Sequence, residues 1–209
     1  MTATIISIAA AEPLAVLDGW GWTQGTYVDE GSGRVCLHGA IRLCAPVPGD
    51  AQIVEAVAAR QGWGTGWNDA PDTDEKMVRA LLAKGIEITD DDLKGTFGPQ
   101  WEAVVWIVRR AAVLTEDERD AIAIARSAAW DDATRVATWG AARYAARDAA
   151  WDAARDATWG TVRDAAVCVV VWDLASEKGP FTFADRELLI GPWETVIGLP
   201  PTLDRSPTT

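Results

Sequence analysis

Cys36 and His38 stand two residues apart, and His38 is the only histidine of the chain. A thiol beside an imidazole is the raw material of nucleophilic catalysis, in which the ring takes the thiol proton and leaves a thiolate to attack. The surrounding residues Val35 to Leu43 read as a helix closed by Pro46 and Pro48. Helical positions two apart point about 200° from one another, which sets the pair badly for proton transfer. Cys44 adds a third soft ligand, but tetrahedral zinc needs a fourth and none stands at a telling spacing, so no metal site is expected. The plainer account makes Cys36 a small buried residue and leaves His38 partly exposed. Cys36 and His38 are thus weak catalytic candidates, and no paired carboxylates or nucleophile motif accompany them.

Binding chemistry has better material. Gly21-Trp22-Thr23-Gln24-Gly25 and Gln61-Gly62-Trp63-Gly64-Thr65-Gly66-Trp67-Asn68-Asp69 both combine glycine, indole and uncharged hydrogen-bonding groups. Backbone donors near Gly64 and Gly66 would be open to a phosphate, and Trp22, Trp63 and Trp67 would offer flat faces to a base or another planar group. Gln24, Asn68 and Asp69 would give direction through hydrogen bonds. No strand precedes the second segment and its glycine spacing is wrong for a dinucleotide fingerprint. The competing account has Trp22 and Trp67 packing a small domain while Asn68 and Asp69 bond their own loop.

The elements that must position these residues are mostly helical. Ile5 to Ala10 reads as a short strand or helical turn, and Pro13 suits the first turn of a helix running to Asp18. A helix is expected over Ala51 to Arg60, then another capped by Asp72 or Thr73 and ending at Lys84 before Gly85. Ile86 to Ile88 reads as a strand, Thr89 to Asp92 as a turn or helix start, and Gly95 to Pro99 as a separator. A helix over Gln100 to Val113 follows. Thr115 with Glu118 three positions on is a capping box that opens the next helix near Glu116.

Beyond it the chain repeats itself. Ala128-Ala129-Trp130-Asp131 returns as Ala149-Ala150-Trp151-Asp152, and Trp139-Gly140 as Trp159-Gly160, a duplication of about 20 residues. Alanine and arginine dominate, which predicts helix. Arginine precedes tryptophan by four at Arg126, Arg135, Arg147 and Arg155, a spacing that lets guanidinium lie on indole. On one straight helix the four indoles would scatter round the circumference, so bends at Gly140 and Gly160 are expected. Ala165 to Leu174 is apolar enough for core, Thr182 caps a helix through Ile190, and Pro192 starts another. The fold class is therefore mainly α. A small α(+β) N-terminal domain (1–97) packs on a long-helix bundle that carries the duplication (98–198), and a flexible tail (199–209) closes the chain. Alanine-rich faces pairing between chains as a homodimer are the alternative arrangement.

Composition bounds the function. A chain of 209 residues that is 49% apolar can bury a substantial core. No apolar run is long enough to span a bilayer and no basic region opens the chain, so a cytoplasmic protein without membrane contact is expected. Three cysteines fit a reducing compartment. The net charge of −12 suggests an acidic nucleic-acid mimic, but arginine and lysine punctuate the acids throughout; direct nucleic-acid binding is not expected either.

The series Gly21-Trp22-Thr23-Gln24-Gly25, Cys36-Leu37-His38-Gly39-Ala40-Ile41 and Trp67-Asn68-Asp69 before a helix resembles an uncharacterised domain family of actinobacteria and their phages, over roughly Pro13 to Leu82. The Ala-Trp-Asp repeats and Gly191-Pro192-Trp193-Glu194-Thr195-Val196-Ile197-Gly198 resemble segments of actinophage proteins. The resemblance implies a source and a domain boundary, assigns no chemistry, and puts His38 at a position expected to vary. The expected function is a non-enzymatic binding protein, phage-encoded and working in the host cytosol, that acts on a host protein or sequesters a small, nucleotide-like ligand without a cofactor. A Cys36-dependent hydrolase or transferase and the acidic mimic are the alternatives.

Overall fold

The computed structural model describes residues 3–129, 166, 169 and 183–198, and the chain divides into two compact units, Met1–Gly95 and Thr96–Thr209. The architecture is mainly helical with one small antiparallel sheet.

The first unit opens with strand β1 (Thr4–Ile8) and helix α1 (Ala11–Trp20). Pro13 lies in the first turn of α1, where its missing N–H costs nothing. Gly21, at φ 77°, ends the helix and donates its N–H to the Leu17 carbonyl. Helix α2 (Leu37–Cys44) starts two residues after the expected position because Cys36 is its N-cap, with the sulfur accepting from the Gly39 N–H at 3.3 Å. Helix α3 (Asp50–Gln61) runs between Gly49 and Gly62, both in the left-handed region, and buries Ile53, Val54 and Val57 completely.

A short helix α4 (Thr65–Asn68) leads to α5 (Glu75–Leu82). The cap of α5 is neither Asp72 nor Thr73 but Asp74, whose carboxylate accepts from the Met77 N–H at 2.8 Å. Thr73 is otherwise engaged, its hydroxyl donating to the Trp67 carbonyl at 2.6 Å. Strand β2 (Ile86–Thr89) then returns antiparallel to β1, with Ile6 opposite Ile88 and Ile8 opposite Ile86. Those four isoleucines are buried while Ser7 and Glu87 face outward, the period of two expected of a sheet with one wet face. Helix α6 (Asp90–Phe97) follows directly and runs through Gly95, so the separator read from the sequence begins only after it. Its start is a reciprocal cap: the Thr89 N–H donates to Asp92 at 2.9 Å and the Asp92 N–H to the Thr89 hydroxyl at 3.2 Å.

The second unit contains α7 (Trp101–Ala112), α8 (Glu116–Ala129) and α9 (Phe183–Ile197). Val104, Val105, Ile107 and Val108 form the buried stripe of α7. The capping box of α8 is made, with Glu118 N–H to the Thr115 hydroxyl at 3.2 Å and Thr115 N–H to the Glu118 carboxylate at 3.0 Å. These bonds, and the Arg110 guanidinium beside it, hold the Glu118 carboxyl below its usual range. Helices α8 and α9 pack together, and Ile122, Leu189, Ile190 and Trp193 are buried. Pro192 does not start a new helix: α9 continues through it, one backbone donor short.

The duplicated segment from Trp130 to Gly160, the arginine–tryptophan pairs, the bends at Gly140 and Gly160, Cys168, the cap at Thr182 and the tail 199–209 lie outside the described residues. So does the apolar run to Leu174, except that Ala166 and Val169 are helical and buried.

Candidate functional site

Both glycine–tryptophan segments belong to the first unit, and several hydrogen bonds join them. Residues 21–28 pass beside Val35 through Thr23 N–H to the Val35 carbonyl and Val35 N–H to the Gly21 carbonyl, each 3.0 Å. From this strip the Gln24 amide reaches the end of the other segment and the turn after it, where its Nε2 faces three carbonyls: Asn68 at 2.9 Å, Ala70 at 3.0 Å and Thr73 at 3.2 Å. The Gly25 N–H donates to Asp69 Oδ1 at 2.9 Å. Asn68 is buried at the centre. Its Oδ1 accepts from the Trp22 indole at 3.3 Å and the Leu37 N–H at 3.2 Å, while its Nδ2 donates to Asp69 at 2.7 Å.

Trp22, Gln24, Asn68 and Asp69 are therefore brought together, and their polar atoms bond one another and the backbone. This is the arrangement expected if the loop is holding itself. Trp63, Gly64, Gly66 and Trp67 lie in the same segment with other neighbours. The Trp63 indole donates to Gln61 at 2.9 Å and its ring lies parallel to His38, 5° between planes and 6.4 Å between centroids. Gly64 sits against α3, where a Cβ would come within 2.8 Å of the Ala59 Cα, so close packing already accounts for its lack of a side chain. Gly66 has open space around it. Trp22, Trp63 and Trp67 are all half-buried.

The side chains of Cys36 and His38 are not hydrogen-bonded to one another. Among the described residues neither ring nitrogen of His38 has a hydrogen-bond partner, and the ring is wholly buried rather than partly exposed. Burial lowers the His38 pKa, outweighing Glu55, Asp69 and the backbone of Gly64, which favour the proton. Burial raises the Cys36 pKa against the N–H groups of Gly39 and His38 that face its sulfur. Both shifts favour neutral thiol and neutral imidazole, the opposite of a thiolate–imidazolium pair. Among the described residues no three metal-ligating side chains gather.

A charged cluster beside His38 has no local sequence signal. Arg42 on α2 makes a two-pronged contact with Glu55 on α3, 2.7 Å from Nε and 3.1 Å from Nη2. The Tyr27 hydroxyl donates to the same carboxylate at 3.3 Å, and the Arg42 guanidinium lies 3.7 Å from the centre of the Tyr27 ring. Burial, then the Glu55 charge, raises the Tyr27 phenol above its ordinary pKa. The cluster joins α2, α3 and the strip before them.

Residues 9–88 match the model of a family of unknown function (DUF6197). The matched stretch contains every residue of the Gln24–Asn68 network, the Arg42–Glu55 cluster, Cys36 and His38. No curated protein and no solved structure matches the chain.

Proposed function

We propose that this chain is a binding protein rather than a catalyst, and that its recognition surface is the face built from residues 21–25 and 62–69. The observation that carries this reading is the Gln24 amide, which spans the Asn68, Ala70 and Thr73 carbonyls and so ties two indole-bearing stretches to each other. Half-buried aromatic side chains on a pre-set backbone are the usual anchors of a protein interface, because little conformational freedom is lost on contact. Trp20 and Val28, exposed just before and after the first stretch, add apolar surface. Since Asn68 and Asp69 already serve each other, a protein partner is favoured over a pocketed nucleotide. Phage origin and a host protein as target belong to this proposal and are supported by sequence resemblance alone.

Thermal-shift screening and partner capture test it together. A small ligand present at a hundred times its dissociation constant stabilises by about 2.7 kcal/mol, so nucleotides that leave the melting temperature unchanged speak for a protein partner. A host protein retained by the intact chain and lost by a folded Trp67→Ala variant is the expected result. A catalytic activity that disappears in a folded Cys36→Ala variant would overturn the proposal in favour of an enzyme.

A further inference from the structure

His38 is a base sealed inside the first unit. It is 0% exposed, and neither ring nitrogen has a hydrogen-bond partner among the described residues. Its ring is stacked parallel to that of Trp63, near the start of the second glycine–tryptophan segment. We propose that His38 is a pH-operated latch, holding the segment 62–69 closed while neutral and releasing it on protonation.

Burial works against a protonated ring, and the charges around it offset that cost only in part. From α3 it faces Glu55, but both oxygens of that carboxylate already serve Arg42 and Tyr27. From its own helix it faces Arg42, a like charge. Beyond α4 it faces Asp69, which accepts from Gly25 and Asn68. Of the charges on α1, which packs on α2, Asp18 bonds Arg79 and Glu12 acts on Cys44. Attraction between the cation and the indole is also weak, because 6.4 Å between centroids exceeds the roughly 6 Å within which such contacts count. The backbone of Gly64 favours the proton without a bond of ordinary geometry.

The sign follows from linkage. Above the ordinary histidine pKa of about 6.5 the ring is neutral whether the segment is open or closed, so pH has no effect there. Below it the open form takes up a proton that the closed form resists, and the open-to-closed ratio rises by up to about tenfold per pH unit until the closed form titrates too. The latch operates whatever the segment binds.

Because His38 is the only histidine, its ring protons report one titration in the intact protein. The experiment follows them by NMR from pH 8 to pH 4.5 beside the Trp63 indole N–H, identified through a Trp63→Phe variant. The expected result is a midpoint below about 6.5 with the Trp63 signal moving in step, and a Trp63 signal insensitive to pH in His38→Phe, which keeps a ring but carries no proton. If His38→Phe fails to fold, His38→Gln serves the same comparison and the titration of the unaltered chain still decides. A midpoint at or above about 6.5, or a Trp63 signal that stays still while His38 titrates, overturns the proposal.

Discussion

At the scale of single residues, Glu55 is the acceptor shared by Arg42 and Tyr27. Its side chain is 9% exposed and Arg42 is 32% exposed, so the pair is poorly screened on one side only. Glu55→Ala would strand a guanidinium over the Tyr27 ring and leave the Tyr27 hydroxyl without its acceptor. Breaking a fully buried pair costs about 3–5 kcal/mol; with Arg42 a third exposed, about 1–3 kcal/mol is expected, read from urea unfolding. Replacing both partners by methionine should cost less than the two single changes added together, since no uncompensated charge then remains. Strict additivity would mean that the two side chains merely sit side by side.

At the scale of elements, close approach decides which glycines matter. A Cβ on Gly39 would stand 2.0 Å from the Tyr27 carbonyl oxygen, a backbone atom that cannot swing aside. Gly39→Ala should therefore cost about 3 kcal/mol or more, at the upper end of overpacking, and push α2 off the 21–28 strip. Gly66→Ala, with open space and an ordinary φ, should be neutral or gain up to about 1 kcal/mol. Equal melting temperatures for the two variants would refute this. Such contrasts were not legible in the sequence, where Gly39 and Gly66 look alike. Signals that act within one turn were legible: the Thr115–Glu118 box, Pro13 in the first turn of α1, and alternation in the β2 isoleucines. Sequence does not single out Asp74 as the α5 cap because Asp72, Thr73 and Asp74 are all good caps, and only the Trp67 carbonyl, six residues back, occupies Thr73. Pro192 reads as a helix start because sequence shows its missing donor but not that α9 continues through it. The meeting of Gln24, Asn68 and Asp69 could be anticipated from residue type, whereas Arg42 and Glu55, on different helices, share no periodicity that would pair them. The fate of the His38 ring depends on what covers it, and nothing within three residues of it in the chain says so.

At the scale of the whole molecule, charge sets the response to salt. Thirty-one acids against nineteen bases leave −12 at neutral pH, so the compact chain repels itself. Ion pairs act in the opposite sense, but those at Arg79 with Asp18 and Glu75 are surface contacts, the kind worth about 0–1 kcal/mol each. Arg42–Glu55 is partly sheltered from screening. Repulsion should therefore win at pH 7. Raising sodium chloride from about 0.01 M to 0.15 M shortens the screening length from about 30 Å to 8 Å. A gain of about 1 kcal/mol is then worth about 2–4 °C in melting temperature for a chain of this size. The same titration near pH 4.5, the isoelectric point, removes the net repulsion, and the salt gain should vanish or change sign. A melting temperature that falls with salt at pH 7 would show that ion pairs outweigh self-repulsion. A gain of equal size at both pH values would point to ion binding at a particular place instead, since general screening has nothing to act on when the net charge is zero.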